Sequence, residues 1–209
     1  MAPLNEQQGF PVIHESEARG DSRAVSHEEF QGIAQKGAEY LHGTERTQST
    51  KGLDADWEGI KNKAYKAAQG SWGGVTINSH TGHDVAEGLD AAAEAGRLHP
   101  GEGQGLDRYA VTARKPGQEQ IRLHENANPE QFGAAMDRAR THYDQLGNRG
   151  HHLGVFHDDA EHAIDIDPVV VVRDRKTAEQ VGAATRNVGG AYHFASGDGF
   201  FPPHVKDGQ

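Results

Sequence analysis

The stretch GHHLGVFHDDAEHAIDIDP, from Gly150 to Pro168, carries four histidines and five acidic residues. Neutral imidazoles beside carboxylates suit a divalent transition metal. A histidine oriented by an aspartate suits general-base work. The apolar residues between them alternate, which is the period of a β-strand.

Taken as a hairpin with DDAE as a four-residue loop, the stretch sorts into two faces. His157 then stands opposite His162, Val155 opposite Ile164 and Leu153 opposite Ile166. The other face pairs His152 with Asp167, Gly154 with Asp165 and Phe156 with Ala163. On the first face, His157 and His162 form a metal pair, helped by Asp158, Asp159 or Glu161. On the second, His152 near Asp167, with Asp165 beside it, forms a catalytic group. A third reading needs no site: DDAE is a solvated turn and Asp165 and Asp167 are the wet side of an antiparallel strand. No HExxH pattern supplies a further metal ligand, and no recognisable motif places a serine nucleophile, so the third reading is the expectation.

The other motifs have ordinary structural uses. In NSHTGHD, His80, His83 and Asp84 share a glycine-containing turn that feeds a helix. GGVT lacks the spacing of a phosphate loop, and GGAYHFASGDG lacks a dinucleotide fingerprint. The helix start near Thr177 could hold an anion on its free N–H groups.

The elements that must position these residues follow from pattern and punctuation. Ser26 with Glu29, and Asn128 with Gln131, have capping-box spacing. They open helices whose apolar stripes run Phe30, Ile33, Ala34, Gly37, Leu41 and Phe132, Ala135, Met136, Ala139, Tyr143, Leu146. Asp54 or Asp56 starts a helix carrying Trp57, Ile60 and Ala64 on one face. Thr177 with Gln180 opens a last helix, with Val181, Ala184 and Val188 on one face. Strands are expected at Val75–Asn78, in RYAVTARK, in QIRLHE, on both sides of DDAE and in AYHF.

From Ile121 onward the order is βαββαβ. The fold class is therefore α+β: an antiparallel sheet in ferredoxin-like order, plus an extra strand at 109–115 paired to the first, preceded by a helical N-terminal extension. Pro168 conflicts with a central strand, because proline donates nothing to a ladder. Either a bulge sits there or the two halves of that strand have different neighbours. The domain division is a flexible polar arm at 1–24, a helical hairpin at 25–70, a strand, helix and Gly/Pro-rich loop at 71–107, and an α+β core at 108–209.

Bulk properties narrow the function. Of 209 residues only 34% are hydrophobic, the net charge is −10 and there is no cysteine. Mean hydropathy is −0.79 and the pI is about 5.7. A chain this short of Lys and Arg is a poor nucleic-acid binder. No apolar run reaches membrane-spanning length, and the N-terminus has no signal-peptide pattern. A cysteine-free chain of this kind fits the cytoplasm or an intracellularly assembled complex. The expected function is a non-enzymatic protein-binding or assembly protein, an accessory subunit that docks on other protein subunits. The expected docking residues are Phe10, Phe30, Ile33, Leu41, Trp57, Ile60, Phe200 and Phe201. No cofactor is required. The alternative is a metal-dependent hydrolase using a divalent transition metal at the His157/His162 hairpin.

Overall fold

The structure, a computed structural model, describes residues 23–44, 56–70, 73–78, 81–94, 107–115, 117–145, 151–186 and 190–206. It mixes helices with a largely antiparallel sheet, and its residues cluster into two compact units interleaved along the chain. One unit comprises residues 1–43, 98–117 and 170–209, the other 44–97 and 118–169. The two helices expected to form one extension fall in different units.

The unit built around 118–169 holds α2 (Trp57–Ala67), β2 (Gly74–Ile77), α3 (Val85–Glu94), β4 (Ile121–His124), α4 (Pro129–Gln145), β5 (His152–Asp158) and the first part of β6 (Ala163–Val172). β5 lies between β2 and β6, and β4 pairs with β6; all three ladders are antiparallel. Period-two patterning puts Val75, Val155, Ile166 and Ile121 in one row across the four strands. These join Phe132, Met136, Ala139 and Tyr143 of α4 and Ala64 of α2 in one core. The Tyr143 hydroxyl donates to the Ile166 carbonyl at 2.6 Å. α4 starts as its sequence predicts. Gln131 N donates to Asn128 Oδ1 at 2.9 Å and Asn128 N to Gln131 Oε1 at 3.0 Å, so two donors that the helix leaves unpaired are satisfied reciprocally. Asp56 caps α2 through Gly59 N at 3.1 Å.

The other unit holds β1 (Ala24–Val25), α1 (His27–Thr44), β3 (Tyr109–Thr112), residues 170–172 of β6, α5 (Arg175–Ala184), β7 (Ala191–His193), β8 (Gly199–Phe200) and β9 (His204–Val205). β3 neighbours β6 and pairs antiparallel with β7, which pairs with β8. Val111, Val170, Val172, Ala178, Val181, Leu41 and Phe200 form its core. Gly37 lets α1 approach α5 closely: a Cβ there would collide with the Gln180 carbonyl and crowd the Ala184 methyl. Ser26 Oγ accepts from Glu29 N at 3.2 Å, as its spacing implied.

Several expectations change. The element order from Ile121 is βαββαβ, but β4 runs antiparallel to β6, whereas the first and third strands of a ferredoxin-like sandwich run parallel. The extra strand β3 pairs with β7 rather than with β4. Pro168 lies in an unbroken β6, opposite Leu153 of β5 and beyond Ile166, the last residue with a β4 partner. The β4 pairing of β6 thus ends before the proline, while its β5 pairing runs past it. Ala24, assigned to the arm, pairs in parallel with His204 of the C-terminal segment. α5 is capped by Asp174, not Thr177. The Asp174 carboxylate accepts from Thr177 N and from Thr177 Oγ1, each at 2.8 Å, which uses the N–H proposed for an anion. Residues 1–22, including Phe10, and His80, Leu146 and Val188 lie outside the described residues.

Candidate functional site

The β5–β6 hairpin is present, but its ladder is shifted by two residues from the expected one. His157 stands opposite Ile164, Val155 opposite Ile166, Gly154 opposite Asp167 and His152 opposite Val169. The turn is Asp159 to His162 rather than DDAE. Asp158 ends β5 and holds the turn, its Oδ1 accepting from Ala160 N at 3.1 Å and Glu161 N at 3.2 Å. His162 closes the turn at φ +51°, a left-handed conformation that histidine adopts more readily than most residues. A shift of two keeps every side chain on its expected face, so the division into two groups stands while the partners change.

On the first face, His157 and His162 do not stand opposite each other. Both meet Glu125, just past β4. His162 Nδ1 is 3.1 Å and His157 Nε2 3.5 Å from Glu125 Oε2, and His157 Nε2 is 3.5 Å from Asp159 Oδ1. His157 Nδ1 is 3.0 Å from the Gly70 carbonyl. A carbonyl only accepts, so Nδ1 carries the proton there. The hydrogen bond from His162, which outweighs a small desolvation cost, lowers the pKa of the Glu125 carboxyl. Among the described residues no group of three or more His, Asp or Glu side chains is arranged to hold a metal ion. The grouping serves as a clasp between the hairpin turn and the end of β4, which Glu125 N reinforces by donating to the His162 carbonyl at 2.9 Å.

The second face overturns the expectation of a wet surface. Asp158, Asp165 and Asp167 are 2%, 4% and 5% exposed. Arg122 of β4, opposite Asp165 in the ladder, grips that carboxylate at two points. Its Nε donates to Oδ1 at 2.7 Å and its Nη2 to Oδ2 at 3.0 Å. Gln120 Nε2 donates to Asp165 Oδ1 at 2.9 Å. The same guanidinium is 3.7 Å from Asp158 and 4.0 Å from Glu161.

Burial pushes the Asp165 carboxyl up to about 7. The Arg122 hydrogen bond opposes that rise, and the Asp167 and Asp158 charges add to it. Burial also works against the charge on Arg122, but the bond to Asp165 and the surrounding carboxylates raise its pKa overall. The two directions agree if the guanidinium stays charged while the Asp165 carboxyl, crowded by the Asp167 and Asp158 charges, holds a proton near neutrality. His152 is pushed down to about 4, by burial and then by the His151 charge, so it is neutral at physiological pH. The shifted register sets Asp167 against Gly154, and the expected opposed His152–Asp167 pair is not formed.

Sequence reasoning found the aspartates but not Gln120, Arg122 or Glu125. Those come from a strand some 40 positions earlier, and only the β4–β6 ladder brings them to the hairpin.

The expected docking residues are placed as follows. Leu41, Phe200 and Phe201 are buried in the chain's own interior. Trp57 and Ile60 pack against the core of their unit. The Trp57 indole donates to Asp137 at 2.6 Å and lies under the Arg140 guanidinium, 4.9 Å from its centroid. Phe30 and Ile33 are half-buried on α1. Among the described residues Tyr192, 41% exposed, is the one large hydrophobic side chain classed as exposed, and no helix is long and apolar enough to cross a membrane.

No protein-family model matches the chain, and neither a curated protein nor a solved structure shows significant similarity to it.

Proposed function

We propose that this chain is a protein-binding or assembly protein, an accessory subunit of an intracellularly assembled complex, and that it does no chemistry through its β5–β6 hairpin. The observation that carries this reading is the engagement of the hairpin's ionisable groups within the chain. Asp165 is bound at two points by Arg122, and Asp158 caps the turn. His162 is hydrogen-bonded to Glu125, and His157 to the Gly70 carbonyl. Side chains spent in this way specify a hairpin and its neighbour rather than grip a substrate.

Docking then falls to the N-terminal arm and the outer side of α1. That side is polar and acid-rich, with Glu28, Glu29, Gln31, Gln35 and Glu39 exposed. With a net charge of −10, the partner would present a basic surface, and charge would speed and orient the encounter. The hydrolase alternative needs three metal ligands, which the described residues do not assemble.

The test is affinity capture of the untagged full chain, compared with a form lacking residues 1–22. A discrete protein partner, released by salt and lost or weakened on truncation, is expected. Capture that is indifferent to both salt and truncation would refute docking through the arm.

A further inference from the structure

Away from the hairpin, one cluster joins a hydroxyl, an imidazole and a carboxylate in series. Its three residues all belong to the unit that contains 98–117 and 170–209. His193 ends β7, and Ser196 lies in the turn leading to β8. His193 Nδ1 is 2.9 Å from Ser196 Oγ, and His193 Nε2 is 2.9 Å from Asp107 Oδ1.

An ionised carboxylate only accepts hydrogen bonds, so Nε2 carries the proton of the neutral ring and donates it to Asp107. Nδ1 is then left to accept from the Ser196 hydroxyl. The surroundings fix this arrangement. The imidazole stacks on Tyr109, its partner in the β3–β7 ladder, with centroids 4.5 Å apart and planes 20° from parallel. Tyr109 in turn meets the Phe200 ring edge-on at 5.7 Å. The turn is closed by Gly197 at φ +74°, whose N–H donates to the His193 carbonyl at 3.0 Å. Asp198 N donates to Ser196 Oγ at 3.3 Å, which leaves the serine's own proton for the histidine. Ser196 is exposed, and the His193 side chain is 19% exposed.

We propose that Ser196 is an activated nucleophile that accepts acyl groups from activated esters, with His193 as its base and Asp107 as the carboxylate that orients the ring. The roles are those of a serine–histidine–aspartate relay with the two ring nitrogens exchanged; such a relay is defined by geometry and role, not by chain order. Ser196 Oγ attacks the acyl carbon while its proton passes to His193 Nδ1. The bond to the leaving oxygen breaks, and that oxygen takes the proton from Nδ1. Water then adds to the acyl carbon while one of its protons passes to His193 Nδ1; the bond from that carbon to Ser196 Oγ breaks, Oγ takes the proton back from Nδ1, and the acid leaves.

The N–H groups of Gly197 and Asp198 are spent inside the turn, so neither is offered to an oxyanion beside Ser196. The substrate class is therefore esters with stable leaving groups, approaching from solvent. This inference does not rest on the assembly reading and survives its failure.

The experiment treats the full chain with p-nitrophenyl acetate, follows p-nitrophenolate release and maps the acetyl group by peptide mass spectrometry. Acetylation at Ser196 is expected. S196A should abolish that adduct. H193Q and D107N should slow it tenfold or more, with melting temperature unchanged in the exposed D107N variant; removing a general base costs about 10² to 10⁴ in favourable sites. An acetyl group found only at other residues, or an equal Ser196 rate in wild type and D107N, would overturn the proposal.

Discussion

Replacing Asp165 by asparagine should remove a loss of stability that the hairpin otherwise suffers as pH rises. The folded carboxyl sits at about 7 against an ordinary value of 3.8. Between those pH values the folded state holds a proton that the unfolded chain has released. Its contribution to stability is therefore fully present below about pH 4 and is lost as pH rises towards 7. At about 1.36 kcal/mol per pH unit, the loss amounts to up to about 4 kcal/mol.

His152 works in the opposite sense. Its imidazole falls from 6.5 to about 4 on folding, so stability from this group rises with pH over that interval, by up to about 3 kcal/mol. The two slopes largely cancel, and the wild-type curve alone decides nothing. The difference between variant and wild type removes His152, which both proteins share. Asparagine cannot titrate, so the stability of D165N minus that of wild type should climb with pH, by up to about 4 kcal/mol between pH 4 and 7.5. Urea melts followed by tryptophan fluorescence suit the measurement, because Trp57 packs against the core that holds Ile164 and Ile166, the neighbours of Asp165 in β6. A difference that stays flat or falls with pH would mean that Arg122 keeps Asp165 ionised, and the account of a proton held on Asp165 would be wrong.

Other outcomes follow from the packing. N128A removes the side-chain half of the reciprocal cap on α4 and should cost about 1 kcal/mol in chemical denaturation. Y143F leaves the Ile166 carbonyl without its buried donor and should cost about 1–3 kcal/mol, with little change in the near-ultraviolet spectrum. G37V drives a side chain into the α5 backbone, so the melting temperature should drop by several degrees, whereas the same change at Gly32, which has open space around it, should leave stability unchanged or raise it by a few tenths of a kcal/mol, because valine has the higher helix propensity.

The legible parts of the fold were those written in local pattern. The α4 cap depends on residues three apart, and its spacing named both partners. The two faces of the hairpin depend only on alternation, so they could be assigned with the register wrong by two. Alternation cannot choose between loops of equal length. What decided was the Asp158 side chain capping the turn and the left-handed backbone at His162, neither of which has a periodic signature.

Burial of Asp165 and Asp167 was illegible for a different reason. Alternating aspartates look the same on a wet face and on a buried one, and for Asp165 the difference lies in Arg122 on a strand remote in sequence. The β1–β9 ladder joins Ala24 to His204 through strands of two residues each, too short to leave a pattern at all.

Native mass spectrometry of the untagged full-length chain, purified gently from the cells that make it, tests the assembly reading most directly. The predicted result is a defined complex with a second, basic protein that dissociates as ionic strength rises. A bare chain of 22.6 kDa, unchanged at low salt and high protein concentration, would contradict it.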